Sequence, residues 1–587
     1  MTRTRFTLGA VTFAAGIIGW CTLPAWVLIL AGLALALVAG GCGWVRWRHR
    51  GAQSRVHRWN QRSVKHHGMA GRWQLWWHSS AWAMRRKATV LRPSFTTLSW
   101  WERWRVPVTE FAVPLTRVGW CRVWAPIEEV IAQYGRPRRG KTGQLLHWLL
   151  DAPGAVLATS TKVDLYHLTQ GLRSVRGPVF VFNPTGIGDL PTTITFDPLF
   201  ECQDAQRAEE RAIDLISGGS AHSSDEGKRW DEQAQRVLTG LLHAAALGGY
   251  SMTDVLSWVA NPDEARREVM ALLRRSPSAH AFVPSAEQFF DTNSRTQSSV
   301  TFTIMPALAW LSNKHAVAAT QGATRFDIER ILADHATVYL LAERESRMGP
   351  LLAALTGYIA REAKRIAART PGGRLDPPLR LILDEAANIC PVPLDAWTSD
   401  FGSHGITICA TFQSRAQVIG RWGSAGAGAI ANNTGATVLH AYGSETADLQ
   451  HFVTLSGNRV DEHGHRVPVL SLTQLTNLPR GTTVVWPPET PVTIGRMPPA
   501  WRRRDLRAQL RAEGRAAATL VTETEEHLAD AATDGDAEQG TAHTPPGSDQ
   551  WVVDTEGLTQ RAGDHPGAQA ALNGRASDHP GGPDVTH

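Results

Sequence analysis

From about Val123 onward, short β-branched and apolar runs alternate with stretches in which apolar residues recur at helical spacing. That alternation is the pattern of a parallel sheet covered by helices. Predicted strands lie at 130–133, 156–161, 179–183, 337–342, 379–384, 407–411, 437–440 and 482–486. Between the third and the fourth, from about Glu201 to Asp334, no run qualifies as a strand, and helical periodicity is clearest at 236–247 and 265–273. The expected fold is α/β, with a core at 123–200 and 335–500 interrupted by an all-α insert subdomain at 201–334.

The two ends depart from this pattern. Residues 1–45 are almost wholly apolar after Arg3 and Arg5, in one stretch at 6–21 and a second at 24–45. The second can cross a ~30 Å hydrocarbon core at ~1.5 Å per residue, whereas the first is short. A transmembrane helix hairpin is the first reading, and a secretory signal with 6–21 as its apolar region is the alternative. In either case the flanking Arg46, Arg48, Arg50, Arg55, Arg58 and Arg62 belong in the cytoplasm by the positive-inside rule, with everything after them. After about Arg502 the chain turns to Ala, Glu and Arg and then to Asp, Gly, Pro and His, with thirteen acidic and two basic residues from Glu523 to His587. Such a stretch buries too little apolar surface to offset its ordering entropy, so 501–587 reads as a disordered acidic tail.

Composition sharpens the region between. The net charge of +6 is uneven, since no Asp or Glu precedes Glu102. About half of the 23 tryptophans lie among arginines in the membrane-proximal linker 46–122, as in Arg72-Trp73, Trp76-Trp77, Trp82, Arg85-Arg86-Lys87 and Trp100-Trp101. Indoles and arginines together suit an interface with anionic membrane lipids. A stacking surface for single-stranded nucleic acid uses the same residue types. The six cysteines are scattered, without zinc or disulfide spacing, and fit a reducing compartment. No GxSxG or HExxH is present, and the loose dinucleotide match at Gly426, Gly428 and Ala431 has no predicted strand leading into it.

The chemistry-bearing signal is Gly135-Arg136-Pro137-Arg138-Arg139-Gly140-Lys141-Thr142-Gly143, which satisfies GxxxxGK[ST], follows a predicted strand and opens a helical stretch. Glycines let the loop wrap phosphate oxygens with backbone N–H groups, and the helix N-terminus adds partial positive charge. Lys141 is placed to reach the β and γ phosphates of ATP, and Thr142 to ligate Mg²⁺. A P-loop also needs carboxylates at the end of a neighbouring apolar strand. The run at 379–384 ends in Asp384-Glu385, which casts Asp384 as the metal carboxylate and Glu385 as the residue that polarises water. The strand at 407–411 leads to Gln413, an amide placed to sense the γ-phosphate at the sheet's carboxyl edge.

With these motifs in place the chain resembles the type IV secretion coupling proteins, the conjugative DNA-transfer ATPases of the TraD/TraG type. The match includes the P-loop, Ser160-Thr161-Lys162-x-Asp164, Gly177 to Pro184, Trp230 to Leu247, Leu383 to Asn388 with Pro391 to Pro393, and Gln413-Ser414. The resemblance implies a RecA-like P-loop NTPase core with an all-α insert, assembled as a homo-oligomer, a hexameric ring, on the inner membrane. It implies an ATP hydrolase that passes relaxase-bound, single-stranded DNA to type IV secretion channel components, with the ATPase domain in the cytoplasm. The stretch after Asp384 corresponds to the family's region for a relaxosome accessory protein. Arg139, before the last P-loop glycine, and Asn183-Pro184, where the family has Asp-Pro, depart from its pattern. The resemblance also implies a basic residue just before the Gln-bearing strand, supplied to a neighbour's γ-phosphate. Here that segment offers only His404, with Arg415 and Arg421 just past Gln413 as alternatives. An FtsK/TraB-like double-stranded DNA translocase, a coupling ATPase for protein cargo, and a scaffold that only binds nucleotide are the competing readings.

Overall fold

The computed structural model describes residues 68–512, apart from 220–224, 323–325, 345, 444–445 and 462. Its centre is an eleven-stranded sheet in the order β2-β1-β13-β12-β9-β3-β8-β7-β4-β6-β5. The strands are Ala112–Val118 (β1), Cys121–Pro126 (β2), Val130–Tyr134 (β3), Val156–Ser160 (β4), Val179–Phe182 (β5), Thr337–Leu341 (β6), Leu379–Leu383 (β7), Ile406–Phe412 (β8), Thr434–Leu439 (β9), Thr482–Trp486 (β12) and Thr493–Arg496 (β13). A separate hairpin pairs Asn458–Val460 (β10) with Arg466–Pro468 (β11). From β9 to β5 neighbouring strands are parallel, and from β9 through β12, β13 and β1 to β2 they are antiparallel.

Strands β3, β4, β6, β7 and β8 are buried at every position. This is why the sequence shows them as continuous apolar runs, because a parallel sheet is covered on both faces. Alternate residues supply two cores. Ile131, Ile382 and Cys409 face one side, where Leu145, Trp148 and Leu149 cover them. Ala132, Leu381, Leu383 and Ile408 face the other, in the core shared with the insert.

The helices in chain order are Arg72–Ser79 (α1), Ala81–Leu91 (α2), Trp100–Arg105 (α3), Lys141–Leu150 (α4) and Asp164–Ser174 (α5), followed by the insert. The insert runs Ala205–Gly219 (α6), Asp225–Gly248 (α7), Met252–Ala260 (α8), Pro262–Leu273 (α9), Ala279–Asp291 (α10), Ser294–Leu308 (α11), Lys314–Thr320 (α12) and Ile328–Ala333 (α13). No strand interrupts it among the described residues. After β6 come Gly349–Arg369 (α14), Ala386–Ile389 (α15), Leu394–Trp397 (α16), Arg415–Asn433 (α17), Thr446–Ser456 (α18), Leu472–Thr476 (α19) and Arg504–Ala512 (α20). The loose dinucleotide match falls inside α17, so Gly426, Gly428 and Ala431 are helical residues.

Two expected boundaries move. The sheet does not begin near Val123, because β1 and β2 pair with each other and β1 joins β13. Their alternation was obscured by Pro114, Arg117 and Arg122 in a stretch otherwise rich in tryptophan and arginine. Nor does irregular chain begin at 501. Arg503 donates to Asp151 at 2.7 Å, and Leu506 and Leu510 of α20 are buried. A helix with so many arginines reads as solvated in sequence, and only the buried carboxylate of Asp151 shows what fixes it. The hairpin expected at 1–45 and the rest of the tail lie outside the described residues. Among those described, no helix is long and apolar enough to cross a membrane. Their cysteines, Cys121, Cys202, Cys390 and Cys409, are all free thiols.

Candidate nucleotide site

The site is built at the carboxyl ends of β3, β8 and β7, which are adjacent in the sheet. Open α/β sheets bind ligands at this edge, where the strand order reverses. From β3 the chain passes through Gly135 to Gly140 and enters α4 at Lys141. Gly140 takes φ 98° at the helix entrance, a left-handed conformation that a side chain resists. Arg136, Pro137, Arg138 and Gly140 are exposed, Arg139 is half-buried, and Gly135, Lys141 and Gly143 are buried. Lys141 Nζ donates to the carbonyl of Gly135, so the side chain spans the loop it belongs to. Burial lowers its pKa, against the attraction of Asp384 and Glu385. Thr142 lies exposed in the first turn of α4.

Asp384 and Glu385 follow β7 directly. Burial, reinforced by the Glu385 carboxylate, pushes the Asp384 carboxyl up to about 7, while Lys141 pulls the other way. A cation beside Asp384 would favour its ionised form, and its oxygen with the Thr142 hydroxyl makes the hard donor set that Mg²⁺ takes. Glu385 sits at φ 47° and is held at both oxygens. Gln413 Nε2 donates to Oε1 at 2.9 Å and Asn388 Nδ2 to Oε2 at 3.1 Å. Gln417 closes the network, donating to Asn388 Oδ1 at 2.7 Å and accepting from the Gln413 backbone N–H at 3.1 Å. The carboxylate is thereby fixed in direction, which a group that aligns a water requires.

The structure thus brings together Lys141, Asp384, Glu385 and Gln413. It places the remaining candidates differently. Arg415 opens α17 on the same edge, with its backbone N–H donating to Tyr442 Oη at 2.7 Å. Arg421 is half-buried and donates to the carbonyl of Ser217 at the end of α6. His404 precedes β8 at the opposite edge, with its ring 3.4 Å from an Asp400 oxygen and its carbonyl accepting from Leu375 N–H at 2.9 Å. The length of β8, about 20 Å at 3.3 Å per residue, separates it from the site. Asn183 explains its own departure from Asp. Its Nδ2 donates to the carbonyls of Ile187 and Leu190 at 3.0 and 2.9 Å, which a carboxylate cannot do.

Sequence reasoning missed three residues. Asn388 and Gln417 orient Glu385, and the i, i+3 spacing of Glu385 and Asn388 was a signal for the first. The third is His440, at the end of β9 on the other flank of β3. Its N–H donates to Tyr134 at 2.9 Å, a Cβ on Gly135 would lie 2.8 Å from its Cβ, and its Nδ1 would lie 3.8 Å from a Cβ on Gly140. His440 therefore backs the phosphate loop at both ends, with its Cβ at Gly135 and its ring at Gly140. Burial and Lys141 hold its pKa down, at about 4, against a backbone hydrogen bond with Arg139. Only the pairing of β9 with β3 reveals this, since the two are about three hundred residues apart.

Fold and site together give a largely parallel α/β sheet with a P-loop motif and an acidic pair at its carboxyl edge. Within this chain, residues 378–476 match the family described as the TraM recognition site of TraD and TraG. The chain has the fold of the bacterial conjugative coupling protein TrwB. The unbound monoclinic form of TrwBdeltaN70 superposes with a TM-score of 0.51 at 17% identity, over 71% of this chain and 92% of that one. TrwB in complex with ADP and Mg²⁺ gives 0.50 at 18% identity, over 64% and 86%. The form in complex with sulphate gives 0.50 at 17%, over 66% and 88%. No curated protein matches the chain. The likeness to the type IV coupling proteins, first carried by motifs, thus extends to a matched segment and to the fold.

Proposed function

We propose that this chain is a coupling ATPase that binds ATP with Mg²⁺ and drives relaxase-bound, single-stranded DNA toward a type IV secretion channel. The observation that carries the reading is the convergence of Lys141, Asp384, Glu385 and Gln413 on one sheet edge, inside or beside the segment that matches a relaxosome-partner recognition site. The structure of TrwB in complex with ADP and Mg²⁺ supports the same ligands here. In this reading the P-loop amides and Lys141 hold the phosphates, and Thr142 and Asp384 hold the cation. Glu385, aligned by Gln413 and Asn388, accepts the proton of the attacking water. Subunits assemble as a hexamer on the inner membrane, anchored through 1–45 with the ATPase domain in the cytoplasm. The segment at 378–476 receives a relaxosome accessory protein, and the acidic tail serves cargo selection.

The test is nucleotide binding and phosphate release on the full chain, with and without single-stranded and duplex DNA. Lys141→Ala should abolish binding, whereas Glu385→Gln should bind normally and lose hydrolysis by ~100-fold or more. Substantial turnover by Glu385→Gln would remove the base from the mechanism, and stimulation by duplex alone would favour the double-stranded translocase.

A further inference from the structure

The helices before the sheet carry an aromatic surface that the nucleotide site leaves unused. Trp73 and Trp101 are 72% and 68% exposed, and Trp76, Trp77, Trp100 and Trp104 are exposed as well. The surface stands on a fixed base. Leu75, Ala83, Met84, Ala88 and Leu91 of α1 and α2 are buried beneath it. Arg92 pairs with Glu110 at 3.1 Å and with Asp376, and Arg374 donates to the carbonyl of Val90 at 2.9 Å. Large indoles held outward by a rigid scaffold mark an interaction site, because six such side chains exceed what an unpartnered surface carries singly.

Two observations decide the occupant. First, the rings lie on one another. Trp76 stacks on Trp82 at 4.7 Å and on Trp73 at 5.1 Å, with interplanar angles of 12° and 21°. Arg86 covers the rings of Trp82 and Trp77 at 5.0 and 5.8 Å, and Arg85 that of Trp104 at 5.3 Å. A platform for bases needs open ring faces, and here several are taken. The exposed cluster mixes indoles with guanidinium groups, the combination that sits among lipid headgroups. Second, charge and position agree. Apart from the interior Arg92, residues 68–107 carry Arg72, Arg85, Arg86, Lys87, Arg103 and Arg105 against Glu102 alone. Only residues 46–67, themselves basic, separate the surface from the apolar stretch at 24–45.

We infer that the tryptophan surface of α1 to α3 docks on the headgroup layer of an anionic phospholipid bilayer, and so fixes the orientation of the motor relative to the membrane. The inference rests on the membrane reading of 1–45, and the experiment separates the two. Hydrogen exchange of 72–79 and 100–105 is measured on the full chain in detergent micelles and in phosphatidylcholine nanodiscs with and without phosphatidylglycerol. Docking predicts exchange about tenfold slower in the phosphatidylglycerol discs than in micelles, with little slowing in phosphatidylcholine alone. Trp73→Ser/Trp77→Ser/Trp101→Ser, and independently Arg85→Gln/Arg86→Gln, should lose that slowing while exchange in α4 stays unchanged.

Equal protection in micelles and both discs would show that a segment of this chain covers the surface and would overturn the inference. So would protection that appears only with added single-stranded DNA or only at raised protein concentration, and so would none in any condition. A chain that fails to enter discs yet floats with phosphatidylglycerol vesicles through this surface would refute the membrane span and support the docking. Failure of both would refute both.

Discussion

His440 shows how one side chain conditions a loop that never contacts it in sequence. Its Cβ lies against Gly135 and its ring stands behind Gly140, so His440→Ala leaves a void on the Gly140 side of the phosphate loop. Nucleotide affinity should fall about tenfold, or ~1.4 kcal/mol, while His440→Asn, which keeps a polar group near Arg139, should recover part of it. A fluorescent-nucleotide titration checks this. The same ring contributes to acid sensitivity. Its folded pKa of about 4 lies below the unfolded value of about 6.5, so between these the unfolded chain binds the extra proton. Its contribution is complete above the unfolded value and is lost as pH falls through the folded one. Burial lowers His147 and His451 in the same direction, so the comparison must be with the variant. Urea unfolding at pH 7 and pH 5 should show a smaller loss for His440→Asn, by up to roughly 2 kcal/mol.

Between elements, the insert is fastened to the core by an ion pair. Asp214 of α6, 1% exposed, accepts from Arg361 of α14, with one bond at 2.7 Å to Nη2 and a second to Nη1. A Cβ on Gly357 would lie 2.0 Å from Asp214 Oδ2, so the residue one turn before Arg361 has to be glycine for the pair to form. Removing one partner strands the other charge in a largely buried place. Asp214→Ala should therefore cost about 3 kcal/mol, and Asp214→Ala/Arg361→Met should restore most of it. Thermal unfolding of the three proteins decides the point, and equal losses in the single and double variants would show that packing rather than charge holds α6 to α14. A second tie lies inside the matched segment, where Asp448 of α18 accepts from Tyr442 Oη at 2.6 Å and from the Ala416 N–H at 3.1 Å. It holds the start of α17, and hence Gln413, to the helices that follow.

In the proposed ring, one residue of each subunit reaches the neighbour's γ-phosphate. A side chain that serves the next subunit lies away from its own site, and His404 does so while Arg415 does not. In rings mixed from Lys141→Ala subunits and an excess of His404→Ala subunits, interfaces that combine an intact site with an intact donor should recover hydrolysis. The His404→Ala ring alone should fall by on the order of 100-fold. Arg415→Ala should show no such recovery. Full activity of the His404→Ala ring, measured by phosphate release, would discard that residue.

How much of this was legible follows from what each feature depends on. The strands at β3, β7, β8 and β12 could be read because burial on both faces demands continuous apolar runs, and the P-loop because phosphate binding demands glycine, lysine and threonine at fixed spacing. Asp384, Glu385 and Gln413 could be placed because each directly follows such a strand. Asn388 left a trace in its i, i+3 spacing from Glu385, whereas the hairpin β1–β2, the anchoring of α20 by Asp151, and the role of His440 left none. Pairing across the sheet and the filling of space behind a loop depend on residues hundreds of positions apart, and no local pattern records them. Local sequence therefore determined which chemistry the chain carries, and tertiary structure decided which side chains hold that chemistry in place, because strand order and packing are set by the sum of long-range contacts.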